Sequence, residues 1–195
     1  MAIDVESIVI DALLDLVELQ GIPLERVTVK RILERSGVSR QTFYNHFLDK
    51  NDLIAKVYER RIIGEFDTSA APTDFDFRAA YVASLKRMQK YASFSKQALQ
   101  LAGQNNLTDY ALEHSRAFDL AWHQRQWGAD PMPEPLRFAT EYHAMASTYM
   151  TISWVLSDFP VAPEELADLT VRMRAMGMDR LFEGASGGGN PYAGI

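Results

Sequence analysis

The sequence predicts an all-α protein, with a small N-terminal group of short helices and a larger C-terminal group of longer ones. Three observations carry this. Apolar residues recur at three- and four-residue steps through almost every segment, which lines them up on one helix face. Ser, Thr or Asp stands just before several of these runs, where a helix N-cap belongs. No stretch alternates apolar and polar residues as a strand would, and there is no internal repeat.

In the first helix Val5, Ile8, Val9, Ala12, Leu13, Leu16 and Val17 form one apolar stripe, ended by Gly21 and Pro23. Thr28 caps a second, short helix carrying Val29, Ile32 and Leu33, which stops at Ser36-Gly37. Ser39 caps a third and Asp49 a fourth. Asp49-Lys50-Asn51-Asp52 has the shape of a capping box with Asp in place of Glu. The fourth helix runs through Leu53, Ile54, Val57, Tyr58 and Ile62. Residues 67–76, DTSAAPTDFD, are small, polar and interrupted by proline, which marks a domain boundary. Further helices are expected near 76–92, 94–103, 107–126, 135–157 and 164–183. Breaks fall at Gly103-Gln104-Asn105, WGADPMPEP and DFPVAPEE. The expected domains are 1–66, including a connecting helix, and 75–184, with the glycine-rich 185–195 as a flexible tail.

The second and third helices, joined by a tight glycine-containing turn, have the form of a helix-turn-helix unit. At ~100° per residue, Phe43 and Phe47 share one side of the third helix, while Gln41, Thr42 and Asn45 point away from it. Tyr44 and His46 flank the exposed face, and Arg40 opens it. The major groove of DNA admits one helix, and Arg, Gln and Asn make bidentate contacts there with base edges. Hydroxyls, His and Lys at the rim meet phosphates, helped by the backbone donors of helix starts. Thr28, Ser39 and Lys50 each stand at such a start, and Lys50 suits a phosphate contact.

Composition bounds the rest. The chain has 195 residues, no cysteine, 47% hydrophobic and 24% charged residues, so disulfides and thiolate metal sites are excluded. No apolar run approaches the ~20 residues of a membrane span, and the N-terminus lacks a signal-peptide pattern, so the expected setting is cytoplasmic. A net charge of −6 argues against a nucleic-acid partner for the chain as a whole. Between Thr28 and Arg61, however, eight bases oppose four acids, a local +4 that leaves −10 elsewhere. Phosphates respond to the field within ~8–10 Å, so the local excess matters more than the sum.

The run VTVKRILERSGVSRQTFYNHFLDKNDLIAKVY resembles the DNA-binding domain of the TetR family of bacterial transcriptional regulators. The matching pieces are Thr28, Gly37-Val38-Ser39, Thr42-Phe43-Tyr44-Asn45-His46-Phe47, Lys50 and Asp52-Leu53, and the resemblance spans about residues 3–62. It implies base contacts from Arg40, Gln41 and Asn45, and backbone contacts from Thr28, Ser39, Thr42, Tyr44, His46 and Lys50. Arg40-Gln41 replaces the small residue often found before Thr in this family. Arg60 and Arg61 are read as solvating the fourth helix. The pieces ISWVLSDFPVAPEELADL and FYNHFLDKNDL resemble the subgroup of dihydroxyacetone-kinase regulators. The implied function is a ligand-responsive repressor that binds a near-palindromic operator in double-stranded DNA as a homodimer.

For the larger half the resemblance is one of architecture, and it implies a helical ligand-binding and dimerisation domain that pairs through the two C-terminal helices. Phe138, Tyr142, Met145, Tyr149, Ile152 and Leu156 make one stripe, Ala139, Ala146 and Ser153 another. A helix apolar on most of its circumference is buried on more than one side. Leu166, Leu169, Met173 and Met176 form the stripe of the last helix. Phe94, Phe118, Trp122, His123, Tyr142, Met145 and Tyr149, with Trp127 and Met150, are of the type that lines an apolar effector pocket, and equally of the type that fills a core. His114, His123 and His143 fall at spacings that match no compact metal motif, and no metal or cofactor is expected. The competing reading, a helical effector-binding module or enzyme without operator binding, finds no acid/base pair, nucleophile motif or phosphate loop to support it.

Overall fold

The computed structural model describes residues 4–64, 66, 75–103 and 106–192, and every regular element among them is helical. Helix α1 (Val5–Leu14) continues into a π turn, Asp15–Leu19, and a 3-10 turn follows at Leu24–Arg26. Then come α2 (Val29–Ser36), α3 (Arg40–His46) and α4 (Lys50–Val57), the last continuing through a π turn at Tyr58–Ile63. The longer elements are α5 (Phe77–Lys90), α6 (Ala92–Gln100), α7 (Leu107–Trp127), α8 (Glu134–Leu156) and α9 (Pro163–Met178), closed by a 3-10 turn, Asp179–Phe182. Most of the boundary expected over 67–76, and Gln104-Asn105 of one expected break, lie outside the described residues. None of the described helices is long and apolar enough to cross a membrane.

The chain divides into two compact units: 1–63 with 87–110, and 64–86 with 111–195. The first unit therefore takes in α6, which the sequence had grouped with the larger half. Phe94, Ala98 and Leu107 are the reason, since they sit in one apolar core with Val9, Leu13, Ile32, Phe43, Phe47 and Leu53. Polar latches reinforce it: Phe94 N donates to Glu18 Oε1 at 2.6 Å, and Leu24 N donates to Gln97 Oε1 at 2.7 Å. Within α1, Ile8 proves exposed while Ile10 is fully buried. Val9, Ala12, Leu13, Leu16 and Val17 of the expected stripe are buried.

The second unit buries charge as well as apolar surface. Arg174 on α9 and Asp119 on α7 are both almost wholly buried, and Arg174 Nη1 lies 2.6 Å from Asp119 Oδ2. Burial pushes the Asp119 carboxyl above the usual carboxylate range, against the pull of Arg174. Tyr81 shares a hydrogen bond with Thr151 at 2.5 Å, and Ser147 accepts from Arg174 Nη2 at 2.6 Å. Helices α8 and α9 approach closely at Gly177, where a Cβ would lie 2.5 Å from His143 Nε2. Tyr192 is fully buried, because its hydroxyl meets His123 and Arg174 and its ring packs on Trp122.

His123 is fully buried between Thr140 and Tyr192, and burial, with Arg174 and His143 adding to it, pushes its imidazole well below the ordinary 6.5. The unfolded chain thus binds a proton near pH 6.5 that the folded chain refuses, so stability is full above that value and falls as pH drops through it. The urea midpoint should decrease between pH 7 and pH 5, by at most ~1.4 kcal/mol per pH unit for one group. His123→Gln should flatten the decline without abolishing it, since the half-buried His143 is shifted in the same direction. An unchanged slope in the variant would exclude His123 as its source.

Candidate nucleic-acid interface

Each short helix of the first unit is started by the residue the sequence assigns to it. Thr28 Oγ1 accepts from Arg31 N at 3.3 Å, Ser39 Oγ from Thr42 N at 3.1 Å, and Asp49 from Asp52 N at 2.9 Å. Asp52 reaches back to Leu48 N at 2.9 Å, one residue before the cap of a regular capping box. Gly37 ends α2 with φ 71°, a left-handed conformation that glycine adopts without a Cβ penalty. Phe43 and Phe47 are buried, and their rings pack at 5.2 Å.

Gln41, Asn45 and His46 are exposed, as are Arg40 and Ser39, so the outward face of α3 is polar throughout. The Arg40 guanidinium lies 5.4 Å from the Tyr44 ring centroid, and Tyr44 packs edge-on against Phe43 at 5.2 Å. The stack runs from the core outward and holds Arg40 beside the helix. Thr42 is half-buried, and its hydroxyl shares a hydrogen bond with Ser39 Oγ at 2.8 Å. His46 Nδ1 stands 3.7 Å from Glu6 Oε1.

The basic excess is smaller at this face than a count along the chain suggests. Arg35 pairs with Asp15 at 2.5 Å, Arg60 with Asp4 at 2.8 Å and Glu6 at 2.7 Å, and Arg61 with Asp11 at 2.7 Å. Acids at the cap of α1, within α1 and in the π turn after it thus compensate three of the eight bases. Lys30 and Arg31 on α2, together with Arg40, keep exposed charge near α3. Neither α2 residue was among the expected contacts, although the charge count had included both.

Lys50, expected at a phosphate, is bonded within the chain. Its ammonium donates to Leu24 O at 3.1 Å, Val27 O at 3.2 Å and Glu25 O at 3.5 Å, and burial lowers its pKa. Lys50 thereby ties the start of α4 to the turn that leads into α2, and its side chain is partly buried. The signal that marked it, a base at a helix start, could not reveal carbonyls 23 to 26 residues away.

The expected effector residues do not converge. Phe94 belongs to the core of the first unit. Phe118, Trp122 and His123 are buried together in the second, whereas Tyr142, Met145 and Tyr149 are exposed on α8. The buried face of α8 is instead Leu136, Thr140, Ala144, Thr151, Trp154 and Val155. Thr140 and Thr151 must turn inward to meet His123 and Tyr81, which turns the aromatic stripe out. A cleft of about 440 Å³ in the first unit is walled by Asp49, Asp52, Glu59 and Asp109 beside Tyr110, and contains none of these residues.

Lys50→Ala should lower stability by about 1 kcal/mol, because three carbonyls lose a charged donor and water only partly replaces it. Chemical unfolding of the variant checks this; an unchanged midpoint would show that the tie contributes nothing.

A family model described as bacterial regulatory proteins, tetR family, matches residues 9–57, and one described as transcriptional regulator C-terminal region matches residues 76–175. No curated protein matches the sequence. Among solved structures, the chain is similar to the dihydroxyacetone kinase operon activator DhaS, at 17% identity and TM-score 0.67, covering 90% of this chain and 96% of that one. That likeness shows a shared fold. With caps, turn and recognition helix in place and both halves matched, the chain belongs to the TetR family and is a DNA-binding transcriptional regulator, not an enzyme.

Proposed function

We propose that this regulator acts in the cytoplasm as a ligand-responsive repressor and binds a near-palindromic operator as a homodimer. The observation that carries the reading is the polar outer face of α3, held by two buried phenylalanines and started by a capped turn. Arg40 and Gln41, with Asn45, read base edges; Thr28, Ser39, Thr42, Tyr44 and His46 touch the backbone, joined by Lys30 and Arg31. Lys50 supports them by fixing the approach to α2. The similar structure is named an activator, which favours a second reading in which operator occupancy recruits polymerase. A reporter assay with and without the regulator separates the two.

The second copy is seated, on this reading, on the apolar face of α8 and α9. Phe138, Tyr142 and Tyr149 are 69%, 62% and 68% exposed in the single chain, and Met173 and Met176 are 63% and 80% exposed. At ~25 cal/mol per Å², leaving such side chains in water is costly, and a face running along two neighbouring helices suits a second copy of itself. A two-fold pair places recognition helices ~34–36 Å apart, one turn of DNA.

Selection of bound sequences from random DNA should yield inverted half-sites at that spacing. Arg40→Ala should cost ~1–3 kcal/mol in operator affinity and relax one base pair per half-site. Tyr149→Glu should sediment as a monomer with unchanged helicity and weakened operator binding. Direct or absent half-site symmetry, or a dimeric Tyr149→Glu, would overturn the corresponding part.

A further inference from the structure

Tyr192 comes from the end of the chain, yet its phenol sits at the centre of the buried polar cluster of the second unit. Its Oη lies 2.8 Å from Arg174 Nη1 and 2.9 Å from His123 Nε2. Arginine can only donate, so Oη accepts from Arg174; Thr140 spends its one hydrogen on Leu136 O, so the neutral His123 ring donates from Nδ1 and its Nε2 accepts the hydrogen of Oη. His123 then carries its hydrogen on Nδ1 and donates to Thr140 Oγ1 at 2.9 Å, which in turn donates to Leu136 O at 2.8 Å. Burial raises the Tyr192 pKa and lowers that of His123, which keeps both neutral. The position of Oη therefore demands a group that accepts one hydrogen bond and donates another. A hydroxyl does both; a carboxylate or an ether has no hydrogen for His123.

The walls around it are aromatic. The Tyr192 ring meets Phe77, Trp122 and His123 edge-on at 5.5, 5.6 and 5.6 Å, and the Arg174 guanidinium lies 4.5 Å from the Phe77 centroid. Two buried donors of the same cluster, Arg174 Nε and Trp122 Nε1, have no hydrogen-bond partner among the described residues. Such unspent donors cost ~1–3 kcal/mol each, and buried orphans of this kind call for an explanation. An apolar enclosure with a few convergent polar groups is the usual form of a small-molecule site.

The segment that delivers Tyr192 is held, apart from Tyr192 itself, by hydrogen bonds near the surface. Ser186 and Gly187 N donate to Trp127 O at 3.0 and 3.3 Å, and Gly188 N to Gln126 O at 3.1 Å, so residues 186–188 lie across the end of α7. Gly187 admits no side chain, since a Cβ would fall 1.9 Å from Gln126 O. Asn190 bonds Asp179 at 2.6 Å and accepts from Tyr192 N at 3.0 Å. Ser186, Gly187 and Gly188 are exposed, and the carbonyls they cover end a helix, where water can take their place.

We propose that the Tyr192 site is the effector site of this regulator: a small neutral phenol displaces the Tyr192 side chain, takes over its bonds to Arg174 and His123, and frees the strap 183–192. The inference rests on the ligand-responsive reading above. The probe is p-cresol, which reproduces the Tyr192 side chain, with 4-methylanisole as the same body lacking a hydrogen to donate. Binding is read by Trp fluorescence and thermal shift on wild type and Tyr192→Phe, whose plug keeps its ring but loses both bonds. Tyr192→Phe should bind p-cresol roughly tenfold tighter than wild type, as loss of about 1–2 kcal/mol from the competing plug requires. In both chains 4-methylanisole should bind at least about tenfold more weakly than p-cresol. In wild type p-cresol should expose the bond after Tyr192 to chymotrypsin and shift operator affinity. Equal p-cresol affinity in the two chains, equal binding of the anisole, or a protected Tyr192 at saturation would overturn the proposal. Bound p-cresol without a change in operator affinity would overturn its effector role. Operator binding by the ligand-free wild type is measured separately, so failure of the DNA-binding reading shows itself independently of the phenol result.

Discussion

A helix of seven residues cannot hold itself together in water, and α3 is that short. Its existence depends on Phe43 and Phe47, which are driven into the core between α1, α2 and α4. Burial of two aromatic side chains supplies several kcal/mol that backbone hydrogen bonding at this length does not. Because the anchors stand four residues apart, they fix the rotation of α3 as well as its position. Every polar group on its outer face is aimed by that one contact. The caps at Thr28, Ser39 and Asp49 then satisfy the backbone where the chain enters each short helix.

Charge around this anchor is allotted by pairing. The carboxylates of Asp4, Glu6, Asp11 and Asp15 hold Arg60, Arg61 and Arg35, and these half-exposed pairs contribute little stability. Exposed positive charge remains on Arg31 and Arg40, and on Lys30, which lies 3.8 Å from Glu34. Lys50 is withdrawn in the same way, its ammonium spent on three backbone carbonyls. The acidic chain thus presents a small basic face by neutralising its surplus bases rather than by having many.

The second unit works by a different economy. A buried Arg174–Asp119 pair is stable only if its remaining hydrogen-bonding capacity is met, and Tyr192 and Ser147 meet part of it. The threonines that complete the network sit on α8, so the helix shows its polar-spotted side to its own core and its aromatic side to water. One requirement, satisfaction of buried polar groups, therefore produces both the Tyr192 site and the outward apolar face.

Fold class, the start and end of most helices, the cap residues and the inward direction of Phe43 and Phe47 were determined by the sequence alone. Each depends on neighbours within a turn or two, and local spacing reports such interactions faithfully. Only the tertiary structure decided that Lys50 faces carbonyls, that Arg35, Arg60 and Arg61 are neutralised, and that α6 packs with the first unit. It also decided which side of α8 is buried, and that a glycine-rich end carries a fully buried tyrosine. These depend on partners 17 to 76 residues apart. An apolar periodicity names the faces of a helix, but which face meets the core is set by polar groups elsewhere that must find partners there.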